Sequence, residues 1–448
     1  MTRPSSVPNP QKKFRFLVYL SGLSRLRQRG TPAAKLPGKA GPALLTACLV
    51  LLTACGMKGE GISMEKRAQA AAALDPAVVK AQNAFGLKLH RQLVQEDKEK
   101  NVFLSPVSVS MALAMTYNGS AGETREAMSR TLGWEGWKPE QVNGGNRTMK
   151  ELLEKSGKGI QLNIANSVWT KKGLTFSKSF LQTNREYYDA YVKELDFSKA
   201  DAAPTINRWV KDKTNGKIPV IVDGLSPQDR MVLINAIYFK GTWKDEFSPS
   251  RTKEESFRLP GGSTVNVPMM ARSGSYEYLE ETGFQAIRLP YGEGQMDMLV
   301  ILPGEGSSLE ALHEKLWSDA SPWQKTFETS RGEIRLPRFK LELDRKLNDS
   351  LTALGMGVAF DPRKAEFTEL GEGSKGLYIS QVKHKTYLKV DEQGTEAAAV
   401  TSVMKAGSAP PPNTPFTMVV NRPFFLAIED RQTGAWLFTG SVYHPEEK

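Results

Sequence analysis

The pattern of apolar and polar positions changes character midway along the chain. Residues 65–94 place apolar side chains at helical spacing among many alanines, which predicts a first long helix. The run Asn101-Val102-Phe103-Leu104-Ser105-Pro106 predicts a short strand and turn, after which Ser105 or Ser108 starts an Ala- and Met-rich helix reaching Met115. Further helices are predicted over 123–132, 139–155, 177–188 and 205–214, the last ending at Asn215-Gly216, with an alternating strand over 161–170. Residues 231–239 form a largely apolar run of strand length, which predicts a strand buried on both faces. Short strands and turns follow over 254–303, then helices over 308–316 and 343–354. Strands over 424–428 and 436–442 are joined by a hairpin at Arg431-Gln432-Thr433-Gly434. Helices dominate the first half and strands the second, without strict βαβ alternation or repeats, so the predicted class is α+β in one large domain.

One stretch departs from ordinary strand-and-loop patterning. Thr386, Leu388 and Val390 alternate with Tyr387, Lys389 and Asp391 as a strand. The chain then runs through Glu392-Gln393-Gly394-Thr395-Glu396-Ala397-Ala398-Ala399-Val400 toward Pro410-Pro411-Pro412. Small side chains bury little apolar surface and anchor a loop poorly. They fit a tight slot between two strands instead, so the segment reads as a strand waiting to be inserted.

Charge adds one distinction. The formal net charge is +11, but residues 1–54 hold nine basic and no acidic side chains. Taking those 9 from the 60 Lys and Arg leaves 51 against 49 Asp and Glu, which gives no support for a nucleic-acid partner. The same segment reads as a targeting leader: basic residues precede an apolar run over 42–54 too short to span a bilayer. That run ends Leu52-Thr53-Ala54-Cys55-Gly56, which resembles a bacterial lipobox; Leu45-Thr46-Ala47-Cys48 fits less well, and an ordinary secretory signal is the alternative. Cleavage before Cys55 would leave a single, lipidated cysteine and no disulfide, and acylation would anchor the exported chain to a membrane. The expected organisation is a leader over 1–54, a flexible tether over 55–70 and a folded domain over 71–448.

Several motifs, in order, resemble those of the serpins, the protease inhibitors that work by loop insertion. Asn101 to Ser108 is similar to the family's sheet centre, the shutter, and Asn235-Ala236-Ile237-Tyr238-Phe239-Lys240-Gly241-Thr242-Trp243 to the strand whose Trp marks the breach. Ile206-Asn207-Arg208-Trp209-Val210 with Thr214-Asn215-Gly216-Lys217-Ile218 resembles the helix lying across the sheet. Asn421-Arg422-Pro423-Phe424-Phe425 and Leu437-Phe438-Thr439-Gly440 resemble the C-terminal strands. The resemblance covers roughly 75–446. It implies about nine helices around three β-sheets, with an exposed reactive loop over about 392–415.

The implied roles fall on specific residues. Glu392, Gly394, Thr395, Glu396, Ala397, Ala398 and Ala399 form the hinge; Ser105, Ser108, Asn235 and His384 the shutter; Trp243 the breach. Ser105, Ser108, Asn235 and His384 sit in otherwise apolar surroundings, so burial requires them to pair, and His384 reads as a satisfied core histidine. Counting from Glu392 implies a reactive bond between Ser408 and Ala409, with Thr395, Ala397, Ala399, Thr401 and Val403 turned inward once inserted. Insertion is expected to begin at Thr395. The small side chains of Ala406 to Ala409 imply an elastase- or subtilisin-like target; cleavage after Lys405 or Met404 would leave an unusually short insertable segment.

An enzyme has little support. His90, His313, His384 and His444 are the histidines, and none stands in a metal-ligand spacing; no Gly-x-Ser-x-Gly elbow occurs. Gly371-Glu372-Gly373-Ser374-Lys375-Gly376 matches a dinucleotide fingerprint without a preceding strand and reads as a turn. No metal or cofactor is implied. The expected partner is a serine protease held in a covalent acyl complex by a monomer. The competing reading is a serpin fold without inhibition, a binding or structural lipoprotein, which Gly394, Thr395 and the three alanines argue against.

Overall fold

A computed structural model describes residues 64–395 and 415–446. The helices are α1 (Met64–Ala72), α2 (Pro76–Glu96), α3 (Pro106–Tyr117), α4 (Gly122–Leu132), α5 (Pro139–Glu154), α6 (Lys178–Tyr188), α7 (Ala202–Lys213), α8 (Leu309–Ser318) and the single turns α9 (Ser321–Gln324) and α10 (Asn348–Leu351). The first strands are β1 (Val102–Leu104), β2 (Ile160–Lys171), β3 (Thr175–Phe176), β4 (Tyr191–Leu195), β5 (Met231–Thr242), β6 (Lys253–Arg258), β7 (Thr264–Glu281), β8 (Phe284–Tyr291) and β9 (Met296–Pro303). They continue with β10 (Glu328–Pro337), β11 (Phe339–Lys346), β12 (Gly371–Glu372), β13 (Ile379–Asp391), β14 (Gly394–Thr395), β15 (Phe416–Val419), β16 (Phe424–Asp430) and β17 (Trp436–Val442).

These strands make three sheets, as expected. The first has the order β11-β13-β14-β5-β2-β4, the second β1-β17-β16-β9-β8-β7-β10-β15 with β6 on β7, and β12 pairs with β3. Strand β5 is buried on both faces. Met231, Leu233, Ile237 and Phe239 enter the main core, while Val232, Ile234 and Ala236 pack under Ile206 and Val210 of α7. Helix α7 therefore lies on the first sheet. On the opposite face sits α3, every residue of which is buried. Ser105 caps it, its hydroxyl accepting from the Ser108 N–H, and Pro106 fills the first position, where no helical N–H is needed.

Four sequence expectations need correction. The helix expected over 65–94 is two helices, because Pro76 cannot continue α1 and Asp75 caps α2 by accepting from the Ala77 N–H. The tether expected over 55–70 stops short of 70: Met64–Ala72 is helical, and the fully buried Arg67 pairs with Asp430 and donates to the Leu152 carbonyl. The helix expected over 343–354 begins as the end of β11, because Leu341 and Leu343 alternate inward on a strand paired with β13. The strands expected to be short over 254–303 include one of 18 residues, β7. The segment from Gly371 to Gly376 is a two-residue strand and a turn.

Candidate functional site

The strand–loop junction singled out by its small residues lies at the end of β13. The chain turns back at Asp391 to Gly394, and β14 pairs antiparallel with β13 (Val390↔Thr395) and antiparallel with β5 (Thr395↔Gly241). Beyond this wedge β13 and β5 pair directly, in parallel, from Ile379↔Met231 to Tyr387↔Tyr238. The first sheet is thus zipped over most of its length and held open at one end by two residues. Gly394 is required there: its φ is +137°, and a Cβ would stand 2.1 Å from the Gly241 carbonyl oxygen.

Trp243, at the end of β5, fastens this turn. Its indole N–H donates to the Asp391 carbonyl at 2.9 Å, its backbone N–H to Gln393 O at 2.9 Å, and its ring stacks on Tyr291 at 4.3 Å between centroids. Thr395 is fully buried, and its hydroxyl shares a hydrogen bond of 2.8 Å with the Tyr291 phenol. Burial pushes the Tyr291 phenol far up, so it stays neutral. Glu392 is 5% exposed; Arg338 donates to it through Nε (2.9 Å) and Nη2 (2.5 Å), and Thr252 through its hydroxyl (2.5 Å). Burial alone would raise its carboxyl, but the hydrogen bonds from Arg338 and Thr252 outweigh burial and hold it below the usual carboxylate range.

The four polar residues predicted at the sheet's centre do come together. His384 Nε2 accepts from the Ser105 N–H at 3.2 Å, and Asn235 Nδ2 donates to the Ser108 carbonyl at 2.9 Å and to the Ser108 hydroxyl. His384 and Asn235 are register partners on β13 and β5, the two strands that would part to admit another. Burial, opposed by the Asn235 backbone, lowers the His384 imidazole to about 3, so it is neutral at ordinary pH. The cluster joins α3 to both strands with neutral hydrogen bonds.

Sequence reasoning missed several members. Asn166, on β2, accepts from Asn235 Nδ2 at 2.5 Å; a polar residue between apolar strand positions was its only signal. Tyr291 and Arg338 lie 104 and 54 residues from their partners at the turn, and nothing local marks them. Glu396, Ala397, Ala398 and Ala399, the bond between Ser408 and Ala409, and Cys55 lie outside the described residues. Among the described residues no group of three or more His, Cys, Asp or Glu side chains is arranged to hold a metal. No described helix is long and apolar enough to cross a membrane.

Comparison with known proteins matches residues 80–445 to the family model "Serpin (serine protease inhibitor)". An uncharacterized serpin-like protein of Thermococcus kodakarensis is 37% identical over 378 residues, covering 83% of this chain and 86% of that protein. The leukocyte elastase inhibitor of Bos taurus is 34% identical over 381 residues, covering 82% and 98%. Among solved structures, the thermophilic serpin tengpin in its native state superposes with a TM-score of 0.74 at 33% identity, over 87% of this chain and 96% of that one.

Proposed function

The chain belongs to the serpin family, which has inhibitory members among its relatives, and on that premise we propose that it is a serine protease inhibitor acting as a suicide substrate. The observation that carries the reading is the wedge of β14 between β13 and β5. It runs antiparallel to both neighbours, so a strand continued from Thr395 would run along the seam where those strands pair directly. Each residue added there exchanges part of one parallel ladder for two antiparallel ones, a net gain of roughly one hydrogen bond, or about 1 kcal/mol, per residue. The small side chains after Thr395 suit that slot.

The chemistry belongs to the target. The protease serine attacks the carbonyl carbon of Ser408, an ester forms to that carbon, and the peptide C–N bond breaks as the Ala409 amine leaves with a proton. The freed loop then enters the sheet as a new strand and carries the acyl-protease with it, the established mode of β-strand addition by this family. Such a device needs a native state held by a kinetic barrier above a more stable one. The wedge of Gly394 and Thr395 supports a seam already started, so insertion need not nucleate a new opening. The leader and the lipobox-like Cys55, read from the sequence alone, support export and lipid anchoring, and the inhibitory reading is of a monomer that is not itself an enzyme.

A panel of elastase- and subtilisin-type proteases tests it. Incubation should produce a band of summed mass that survives boiling in detergent, with loss of protease activity. Cleaved loop beside fully active protease, across the panel, refutes inhibition and favours the non-inhibitory alternative.

A further inference from the structure

Away from the first sheet, two further histidines are buried together. His90 lies on α2 and His313 on α8, their rings edge to face at 5.3 Å between centroids, and both point an Nε2 at the hydroxyl of Ser441 on β17 (2.9 and 2.7 Å). Trp317, one turn beyond His313, stacks on the His313 ring and donates its indole N–H to His90 Nδ1 at 3.1 Å. His90, His313 and Ser441 are at most 1% exposed.

The donors fix the protons. An indole N–H only donates, so His90 Nδ1 is an acceptor and its one proton sits on Nε2, facing Ser441 Oγ. The serine proton is then free to go to His313 Nε2, which leaves the His313 proton on Nδ1, an atom with no partner among the described residues. The relay runs Trp317 to His90 to Ser441 to His313, and it closes only with both rings neutral. A second proton on His90 would set an N–H against the Trp317 N–H. A second proton on His313 would bury a cation beside its neighbour.

We propose that Ser441, His90 and His313 form an acid-released latch that fastens α2 and α8 to the second sheet. The charged surroundings do little to shelter a proton there. Arg91 of α2 sits over the Trp317 ring at 5.4 Å and opposes a nearby imidazolium. On α8 the acid acting on His313 is Glu310, which also interacts with Tyr443 just after β17, as does Glu99 after α2; β16 presents the apolar ring of Phe425 to His90. Burial lowers His313 to about 4 despite Glu310, and burial together with His313 lowers His90 well below its ordinary value. Both groups have folded-state values below the unfolded one. Their contribution is therefore complete above about pH 6.5 and is lost as pH falls through the interval down to the folded-state values. At pH 5 each histidine kept neutral favours unfolding about 30-fold more than at neutrality.

The test uses the whole protein, without protease, so it stands or falls independently of the inhibitory reading. Hydrogen exchange, corrected for intrinsic rates, is followed at pH 7.5 and 5.0. Protection should fall in 86–96, 309–318 and 436–442 ahead of β13. Loss of protection spread evenly over the chain overturns the proposal. In the second arm, urea unfolding over the same pH range is compared with His90→Gln and His313→Gln, which retain hydrogen bonding to Ser441 without titrating. Each variant should remove a factor of about 30 from the acid-induced rise in the unfolding constant at pH 5; His384 keeps its own share in all three proteins. Variants as acid-sensitive as the parent overturn the latch. Should neither variant fold, the exchange pattern of the parent decides.

Discussion

The hydroxyl of Tyr291 is the smallest perturbation that reaches the wedge. Tyr291→Phe keeps the stack on Trp243 and the edge contact with Phe239, and removes only the bond to Thr395 Oγ1. A buried neutral hydrogen bond is worth about 1 kcal/mol net, and leaving the fully buried Thr395 hydroxyl without its partner adds about 1 kcal/mol more. The withdrawn state of β14 should therefore be populated roughly 30-fold more. The assay is native-state hydrogen exchange at the Thr395 and Gly241 amides, which lie where β14 meets β5. Thr395→Val removes the same bond from the other side and orphans the Tyr291 phenol instead, so the effects of the two substitutions should not add, and Tyr291→Phe in that background should slow exchange or leave it unchanged. Equal acceleration by Tyr291→Phe with and without the Thr395 hydroxyl would refute the reasoning. So would no acceleration at all.

Two further outcomes follow from the same geometry and a third from the sequence of the loop. Arg338→Met leaves Glu392 largely buried with Thr252 as its remaining side-chain partner, and should cost about 2 kcal/mol at pH 7 after allowance for the partial exposure of Arg338. Because the folded-state Glu392 value is lowered, that contribution is present above the unfolded carboxylate value and is lost as pH falls through the folded one. Urea unfolding of parent and variant should accordingly converge on the acid side of the carboxylate range; a constant gap counts against the pairing. Asn235→Ala removes an amide that serves Ser108 and Asn166, and should cost about 3 kcal/mol in urea unfolding, with about 1 kcal/mol of coupling to Asn166→Ala. Additive effects would mean that the two asparagines act separately. The protease-released fragment should begin at Ala409 by mass spectrometry, and a fragment beginning at Ala406 would move the target to a trypsin-like enzyme.

Much of this was legible in the chain because it is local. Ser105 capping α3, Pro106 after it, the doubly buried β5 and the hairpin between β16 and β17 each follow from spacing and turn chemistry. The polar residues at Ser105, Ser108, Asn235 and His384 stood out against apolar surroundings, which is why their meeting could be anticipated. Tyr291, Arg338 and Thr252 could not, since their significance arises only where distant strands converge on the turn after β13. The same holds for Ser441, where two helices and a strand bring His90 and His313 together. Thr395 shows how a sequence expectation can misjudge a state. It was expected to begin insertion, yet it already lies in the sheet, paired on both sides and hydrogen-bonded. A bulky residue there would therefore disturb the intact protein as well as its insertion.

The account's central claim is that the cleaved loop enters the seam between β13 and β5. The structure of the protein after cleavage of its loop tests it most directly. The prediction is that β14 lengthens through Thr395 into a full strand of the first sheet, antiparallel to both neighbours, with the direct pairing of residues 379–387 of β13 with β5 broken along its length. A cleaved protein in which β13 and β5 remain paired and the new chain end lies outside the sheet would contradict it.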